Sequence, residues 1–317
     1  MSFQGPHKVA IIGAGHVGAS TAFALLFSPL VKEIVLVDKN QAKAEGEAMD
    51  LAHAATLVRP VNIHAGEAAD CAGARIIIFT AGVNQQPGQS RLDLVQRNTA
   101  IVREALPPLL QYCPEAVLIM VSNPVDILTY AAWKISGLPE HRVLGSGTVL
   151  DSARFRHLLS SQLHFDARNI HAYVIGEHGD TEVPVWSLAN VAGVDLEKFY
   201  LLDGAQEEHN FRSEVSRQVR KAAYEIIERK RVTSYGVALA LSRITECILR
   251  DEHSVLAVSS VIRHLYGIDG EVALSLPCLI TRRGREKVIA IPLAESEKNE
   301  LLHSAATLQE VIKQLDL

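Results

Sequence analysis

The sequence predicts an α/β protein in two parts: a doubly wound parallel sheet, then an α+β half with antiparallel strands. Three observations carry that expectation. Apolar, β-branched runs such as Lys8-Val9-Ala10-Ile11-Ile12 and Arg75 to Phe79 read as strands buried on both faces. Helix-length segments alternate with such runs up to about residue 145, and strands separated by helices imply a parallel sheet with helices on both sides. Later the order changes to two long helices followed by short strands, with Gly267, Gly270 and Gly284 as turns, which reads as antiparallel. The division is expected as residues 1–145 and 146–317.

The first strand runs directly into Gly13-Ala14-Gly15-His16-Val17-Gly18, and Ala19 to Phe27 reads as a buried helix. A second strand, Glu33 to Val37, ends at Asp38, twenty residues past Gly18. Strand, G-x-G-x-x-G, helix, strand and acidic residue together form the dinucleotide-binding fingerprint of a Rossmann unit. Gly13 permits the tight turn, Gly15 lets the backbone approach a pyrophosphate, and Gly18 lets helix and strand pack closely. The helix N-terminus offers unpaired N–H groups and a positive dipole end to the phosphates. Asp38 would accept from both ribose hydroxyls and repel a 2′-phosphate, which favours NAD over NADP.

The alternation continues with a helix over Gln41–Ala55, a short strand over Val61–His64 and a buried strand over Arg75–Phe79. A long helix over Leu92–Gln111 is expected to be broken late by Pro107 and Pro108. Ala116–Val121 is the fifth strand. Ligands of such sheets bind beyond the carboxyl ends of the strands, so the loops there should carry the chemistry. The stretch from Thr80 to Arg91 is long, polar and punctuated by Gly and Pro, as expected of a lid. Arg91 enters a helix where a cation is mildly unfavourable. Asn123, in Ser122-Asn123-Pro124, faces either a ligand or its own turn.

In the second half a helix is expected over Val149–Leu163. Asp151 and Arg154, three residues apart, share a face of it, while Arg156 lies about 200° round from Arg154 and points the other way. Thr148-x-x-Asp151 also matches a capping box, and Asp151–Arg154 could be a plain surface ion pair. Strand-like Ala172–Ile175 leads into Gly176-Glu177-His178-Gly179-Asp180-Thr181. A histidine at a strand end between glycines suits proton transfer near neutral pH; the plain alternative is a Gly-rich turn in which it bonds its neighbours. Glu182–Trp186 is strand-like, and helices are expected over Glu207–Lys230, Tyr235–Arg250 and Glu295–Leu315. Strands are expected near Ser254–Ile262, Glu271–Leu279 and Lys287–Ala290.

Composition excludes several classes. With 317 residues, a net charge of −5, 21% charged residues and no long block of one sign, nothing suggests a nucleic-acid or polybasic membrane surface. The four cysteines, Cys71, Cys113, Cys247 and Cys278, form no C-x-x-C pair, so neither zinc nor a disulfide framework is expected. Reduced thiols and the absence of an apolar stretch in Met1–Pro6 point to a cytoplasmic protein. No apolar run reaches membrane-spanning length.

GAGHVG at 13–18, AGVNQQPGQSRLDL at 81–94, SNPVD at 122–126, DSARFR at 151–156 and GEHGDTEVPVWS at 176–187 stand in this order. They resemble the lactate/malate dehydrogenase family from about Lys8 to the last helix. The resemblance implies NAD as cofactor, no metal, and reversible hydride transfer between NADH and pyruvate giving (S)-lactate. His178 would be the general acid/base, Asp151 would stabilise its imidazolium, and Arg91, on the closing loop, would polarise the substrate carbonyl. Arg154 would clamp the substrate carboxylate. Asn123 and Thr233 would add polar contacts. Gly13, Gly15, Val17, Gly18, Asp38, Lys43, Gly82, Val121, Asn123 and Ser146 would bind the cofactor. Gln85 stands where malate-specific members carry arginine, so a dicarboxylate would be left unpaired; Trp186 also looks lactate-like. Arg156 and His171 match a pair that binds fructose 1,6-bisphosphate between subunits in many bacterial members, which implies an allosteric homo-oligomer, expected as a tetramer.

The sequence departs from the family pattern at Lys230-Arg231-Val232-Thr233-Ser234-Tyr235, where Lys-Gly-Ala-Thr-Tyr-Tyr is more usual, and at Gln86 and Gln89 in the loop. Two alternatives stay open: a malate dehydrogenase of the same fold, and an NAD-binding protein without catalysis.

Overall fold

The structure, a computed structural model, describes residues 7–83, 91–196, 198–199 and 208–317. The first half builds six parallel strands: β1 (His7–Ile12), β2 (Val31–Val37), β3 (Asn62–Ala65), β4 (Ile76–Phe79), β5 (Val117–Met120) and β6 (Val143–Gly145). Their spatial order is β3-β2-β1-β4-β5-β6, so the chain reverses direction across the sheet between β1 and β4. A crevice opens beyond the carboxyl ends at such a point. The helices between them are α1 (His16–Leu25), α2 (Gln41–Ala55), α3 (Arg91–Tyr112) and α4 (Val125–Ser136).

Burial explains why these strands show no polar alternation. All four residues of β4 are buried. Ile76 and Ile78 join one core with α1 and α2, while Ile77 and Phe79 join a second core with α3 and α4. Each such side chain is worth about 1.5–3 kcal/mol of transfer free energy.

The second half carries α5 (Val149–Leu163), α6 (Glu208–Lys230), α7 (Tyr235–Arg250) and α8 (Glu295–Ile312). Five short strands lie between α5 and α6: β7 (Ile170–His171), β8 (Val174–Ile175), β9 (Val183–Pro184), β10 (Asn190–Val191) and β11 (Val194–Asp195). The antiparallel strands β12 (Ser254–Arg263), β13 (Glu271–Thr281) and β14 (Gly284–Val288) do not stand apart from the first half. They extend its sheet to nine strands through pairing of Ser259 with Gly145. A Cβ on Gly145 would meet the Ser259 Cβ at 2.8 Å, so the absence of a side chain there lets β12 approach.

Several boundaries differ from the sequence expectation. The first helix begins at His16, directly on the glycine turn with Gly15 as N-cap, because Gly18 is tolerated inside it. The long helix is not broken at Pro107 and Pro108 but runs through both to Tyr112. The carbonyls deprived of a donor belong to Arg103 and Glu104, which are exposed, so water can serve them. The last strand starts at Gly284 rather than Lys287, and the last helix ends at Ile312 rather than Leu315. No helix among the described residues is long and apolar enough to cross a membrane.

Candidate functional site

The glycine turn has the shape its sequence requires. Gly13 sits at φ +99, and a Cβ there would meet the Ala81 amide nitrogen at 2.8 Å. A Cβ on Gly18 would collide with the Gly13 carbonyl oxygen, whereas one on Gly15 meets nothing within 4 Å among the described residues. Gly13 and Gly18 are thus spoken for by packing, and the space above Gly15, at the N-terminus of α1, is open. Room for close backbone approach beside the N–H groups of a helix N-terminus fits a pyrophosphate. The Thr80 hydroxyl lies 2.8 Å from the Gly13 carbonyl and 3.0 Å from that of Ile12, joining the two loops that flank the crevice.

Asp38 does more than await a ribose. One of its oxygens accepts from the Ala14 amide at 2.8 Å and the other from the Asn40 amide at 2.9 Å. It therefore braces the glycine turn, and each oxygen keeps a lone pair for a ligand. Lys43 is exposed in the first turn of α2, Val17 is partly exposed on α1, and Gly82 is exposed just past β4. Val121 and Ser146 follow β5 and β6 on the same side of the sheet, with their amides bonded to Phe79 and Met120.

Asn98 was not legible in the sequence as a site residue. It is 1% exposed on α3, accepts from the Val83 amide at 2.8 Å and donates to the carbonyls of Val83 and Asn123 at 3.2 and 2.7 Å. A single amide thus clamps the loops after β4 and β5. Asn123 itself is exposed and joined to Pro124 by a cis peptide bond.

The proton-transfer candidates meet at the junction of the two halves. His178 Nδ1 lies 2.6 Å from Asp151 Oδ2, and Arg154 Nη1 donates to Asp151 Oδ1 at 2.7 Å. Asp151 is 1% exposed, so a surface ion pair is ruled out. The capping-box alternative also fails, since the Thr148 hydroxyl donates to the Val174 carbonyl at 2.5 Å instead. Ionised Asp151 only accepts, so Nδ1–H is the donor and Nε2 is left for a ligand. A quarter of the His178 side chain remains accessible.

Long-range hydrogen bonds hold the histidine turn. Gly176 exchanges two backbone hydrogen bonds with Ser275 of β13, at 2.8 and 2.9 Å. The Ser275 hydroxyl also accepts from the Thr148 amide at 3.1 Å, at the start of α5. Asp126 of α4, buried, accepts from the His178 amide at 2.7 Å. Ser275 and Asp126 are further residues that sequence reasoning missed. Only the acidic position in SNPVD hinted at the second.

The electrostatics follow from burial and charge. Burial pushes the Asp151 carboxyl up, but the charges and hydrogen bonds of His178 and Arg154 outweigh it and hold it below the usual carboxylate range. Burial lowers His178, yet Asp151, with smaller help from Asp126 and Glu182, carries it to about 9. Burial pushes Asp126 up to about 6, against the lowering effect of Ser259 and His178.

Further along α5, Arg156 donates to the Ala172 carbonyl at 3.4 Å, one residue past exposed His171. Burial lowers the Arg156 pKa. Trp186 packs between α5 and α6, edge-on to Phe155 at 4.8 Å and bonded to Ser216 at 3.0 Å. Thr233 is partly exposed just before α7. Nearby Arg231, the departure from glycine, adopts φ +70, the left-handed region for which glycine is the natural occupant. Gln85, Gln86, Gln89 and the side chain of Arg91 lie outside the described residues, though Arg91 opens α3.

Comparison with known proteins agrees with this geometry. Residues 7–145 match the profile of the lactate/malate dehydrogenase NAD binding domain, and residues 148–316 that of the alpha/beta C-terminal domain. An L-lactate dehydrogenase of Moorella thermoacetica is 78% identical over 317 residues, covering 100% of both chains. One of Thermoanaerobacterium saccharolyticum is 51% identical, covering 98% of this chain and 99% of the other. The crystal structure of a minor L-lactate dehydrogenase from Enterococcus mundtii, in ligands-bound form, superposes with a TM-score of 0.95 at 39% identity, covering 98% and 99%. With the glycine turn, Asp38 and the His178–Asp151 pair in place, the chain belongs to the lactate/malate dehydrogenase family and is an NAD-dependent oxidoreductase.

Proposed function

We propose that the chain is an L-lactate dehydrogenase in which His178 is the general acid/base for interconversion of pyruvate and (S)-lactate. The observation that carries this reading is the 2.6 Å hydrogen bond between His178 Nδ1 and buried Asp151. It fixes the tautomer, keeps the ring protonated at neutral pH and leaves Nε2 to meet a substrate oxygen. The relatives named L-lactate dehydrogenase support the same activity.

Bound NAD supplies the hydride chemistry. The chain's own residues do the rest. His178 donates its Nε2 proton to the carbonyl oxygen of a 2-keto acid and takes it back from the hydroxyl in reverse. Asp151 holds the imidazolium in place. Arg154 pairs with the substrate carboxylate, Arg91 polarises the carbonyl from the loop, and Asn123 and Thr233 add polar contacts. Gln85 leaves a second carboxylate without a partner, which favours pyruvate over oxaloacetate. Residues 1–145 mainly hold the cofactor and lend Gln85, Arg91 and Asn123 to the substrate, while 146–317 supply His178, Asp151, Arg154 and Thr233.

The assembly is proposed as a cytoplasmic homotetramer with Arg156 and His171 binding fructose 1,6-bisphosphate across an axis. Buried, free cysteines suit that compartment. Apolar surface supports association: Phe23 of α1, Phe27 just past its end, and Tyr235 and Leu239 of α7 are exposed round a shallow cavity of about 450 Å³.

One assay tests the reading. NADH oxidation is followed with pyruvate and with oxaloacetate, each with and without fructose 1,6-bisphosphate, in the wild type and in His178→Asn. Faster turnover with oxaloacetate, or a near-normal rate in His178→Asn, overturns it.

A further inference from the structure

Glu182 is buried beside the catalytic pair without a role in the mechanism so far. It is 3% exposed, and its Oε1 is buried with no hydrogen-bond partner among the described residues. Its carboxylate lies within 4.8 Å of ligating atoms of both Asp151 and His178. Buried polar atoms are nearly always satisfied, so an orphaned carboxyl oxygen aimed at a proton-transfer pair calls for a reason.

The surrounding charges do not neutralise it. Arg154 of α5 is pinned to Asp151 at 2.7 Å. Arg220 of α6 spends two N–H groups, at 3.1 and 3.3 Å, on the Glu182 carbonyl oxygen rather than its carboxylate, and also pairs with Glu300. Asp126 of α4, a further negative charge near the histidine, spends one oxygen on the His178 backbone amide. Asp151 therefore takes the available positive charge, and two buried carboxylates this close resist ionising together. Burial first, and Asp151 second, push Glu182 up to about 8, with His178, Arg220 and Arg154 pulling down.

We infer that Glu182 is a positioning residue for the proton: the third member of a His178–Asp151–Glu182 cluster, setting the pH at which His178 releases its proton. The inference rests on His178 being the acid/base. At neutral pH the Glu182 carboxyl is protonated and leaves the histidine undisturbed. As pH rises it ionises, and its negative charge keeps the proton on His178 to a higher pH than Asp151 alone sustains. The pocket then remains competent to protonate a carbonyl under alkaline conditions.

The test uses the full chain as wild type, Glu182→Gln and Glu182→Asp. Diethyl pyrocarbonate, which reacts with neutral imidazole, is applied across pH to the cofactor-free protein, and modification of the peptide carrying His178 is read by mass spectrometry. In parallel, kcat/KM for pyruvate is measured across pH. Glu182→Gln is expected to move both the modification midpoint and the alkaline limb down by about one pH unit. Glu182→Asp, which keeps the charge, restores most of that shift. Glu182→Ser is a second neutral variant with the same expected shift should glutamine fold poorly. Unchanged midpoints in the neutral variants, even with a lower rate, reduce Glu182 to packing and overturn the inference. A normal rate in His178→Asn instead defeats the acid/base reading, while the chemical midpoint still reports the cluster.

Discussion

His178 Nδ1 and Asp151 Oδ2 stand 2.6 Å apart across 27 residues of sequence, with Arg154 on the carboxylate's other oxygen. The carboxylate is shared between a permanent and a conditional cation. Asp151→Asn removes the charge that carries His178 to about 9. The alkaline limb of pyruvate reduction is expected to move down by about two pH units, with kcat/KM at pH 7.5 reduced about 10–100-fold. A pH profile of initial rates checks it.

The same pair ties stability to pH. His178 is carried from the ordinary histidine value of 6.5 to about 9 in the folded protein, so its contribution is complete below about pH 6.5 and is lost as pH rises through 9. The full effect is about 3 kcal/mol. Urea unfolding at pH 6, 7.5 and 9 should show this loss, and Asp151→Asn should flatten it.

Gly15 and Gly18 separate binding from folding. Gly18→Ala drives a methyl group into the Gly13 carbonyl and is expected to lower the melting temperature by about 5 °C or more. Gly15→Ala meets open space, so the protein should melt within about 2 °C of wild type. Its NADH affinity should nevertheless fall about tenfold, because the methyl group occupies the pyrophosphate's approach. Calorimetric melting and fluorescence titration with NADH distinguish the two.

Asn98→Ala leaves the Val83 amide and the carbonyls of Val83 and Asn123 without their partner. A stability loss of about 2–3 kcal/mol is expected. KM values for NADH and pyruvate should rise together, since both loops lose their clamp. Denaturant melts and saturation kinetics on the same preparation measure both effects.

Arg231→Gly should stabilise the chain. Arg231 is exposed at φ +70, where an L side chain costs about 1–2 kcal/mol and glycine's extra unfolded-state entropy returns part of that. The expected gain is about 0.5–1 kcal/mol, read as a higher midpoint in urea.

The fold was legible because its signals are local. A strand buried on both faces needs an apolar run, a helix needs its period, and a glycine turn needs glycine at fixed offsets; each is written in neighbouring residues. α2, α5 and α7 accordingly span the residues their patterns indicate, and Gly13, Gly15 and Gly18 occupy the expected geometry. The run of α3 through Pro107 and Pro108 was not legible, because it depends on which carbonyls face water.

The site was legible only in part. Spacing around α5 placed Arg154 and Arg156 on different sides, but it could not say which carboxylate meets His178: Glu177 and Asp180 are nearer in sequence than Asp151. Family resemblance proposed the distant one, and the crossing of α5 behind the histidine turn decides it. Ser275, Asp126, Asn98 and Glu182 carry no pattern of their own. Each acquires its part from a strand or helix that arrives from elsewhere in the chain, and from the burial that leaves its polar atoms few partners to choose from. Local periodicity determined the elements of this protein; long-range packing and desolvation decided which of its polar side chains form the site.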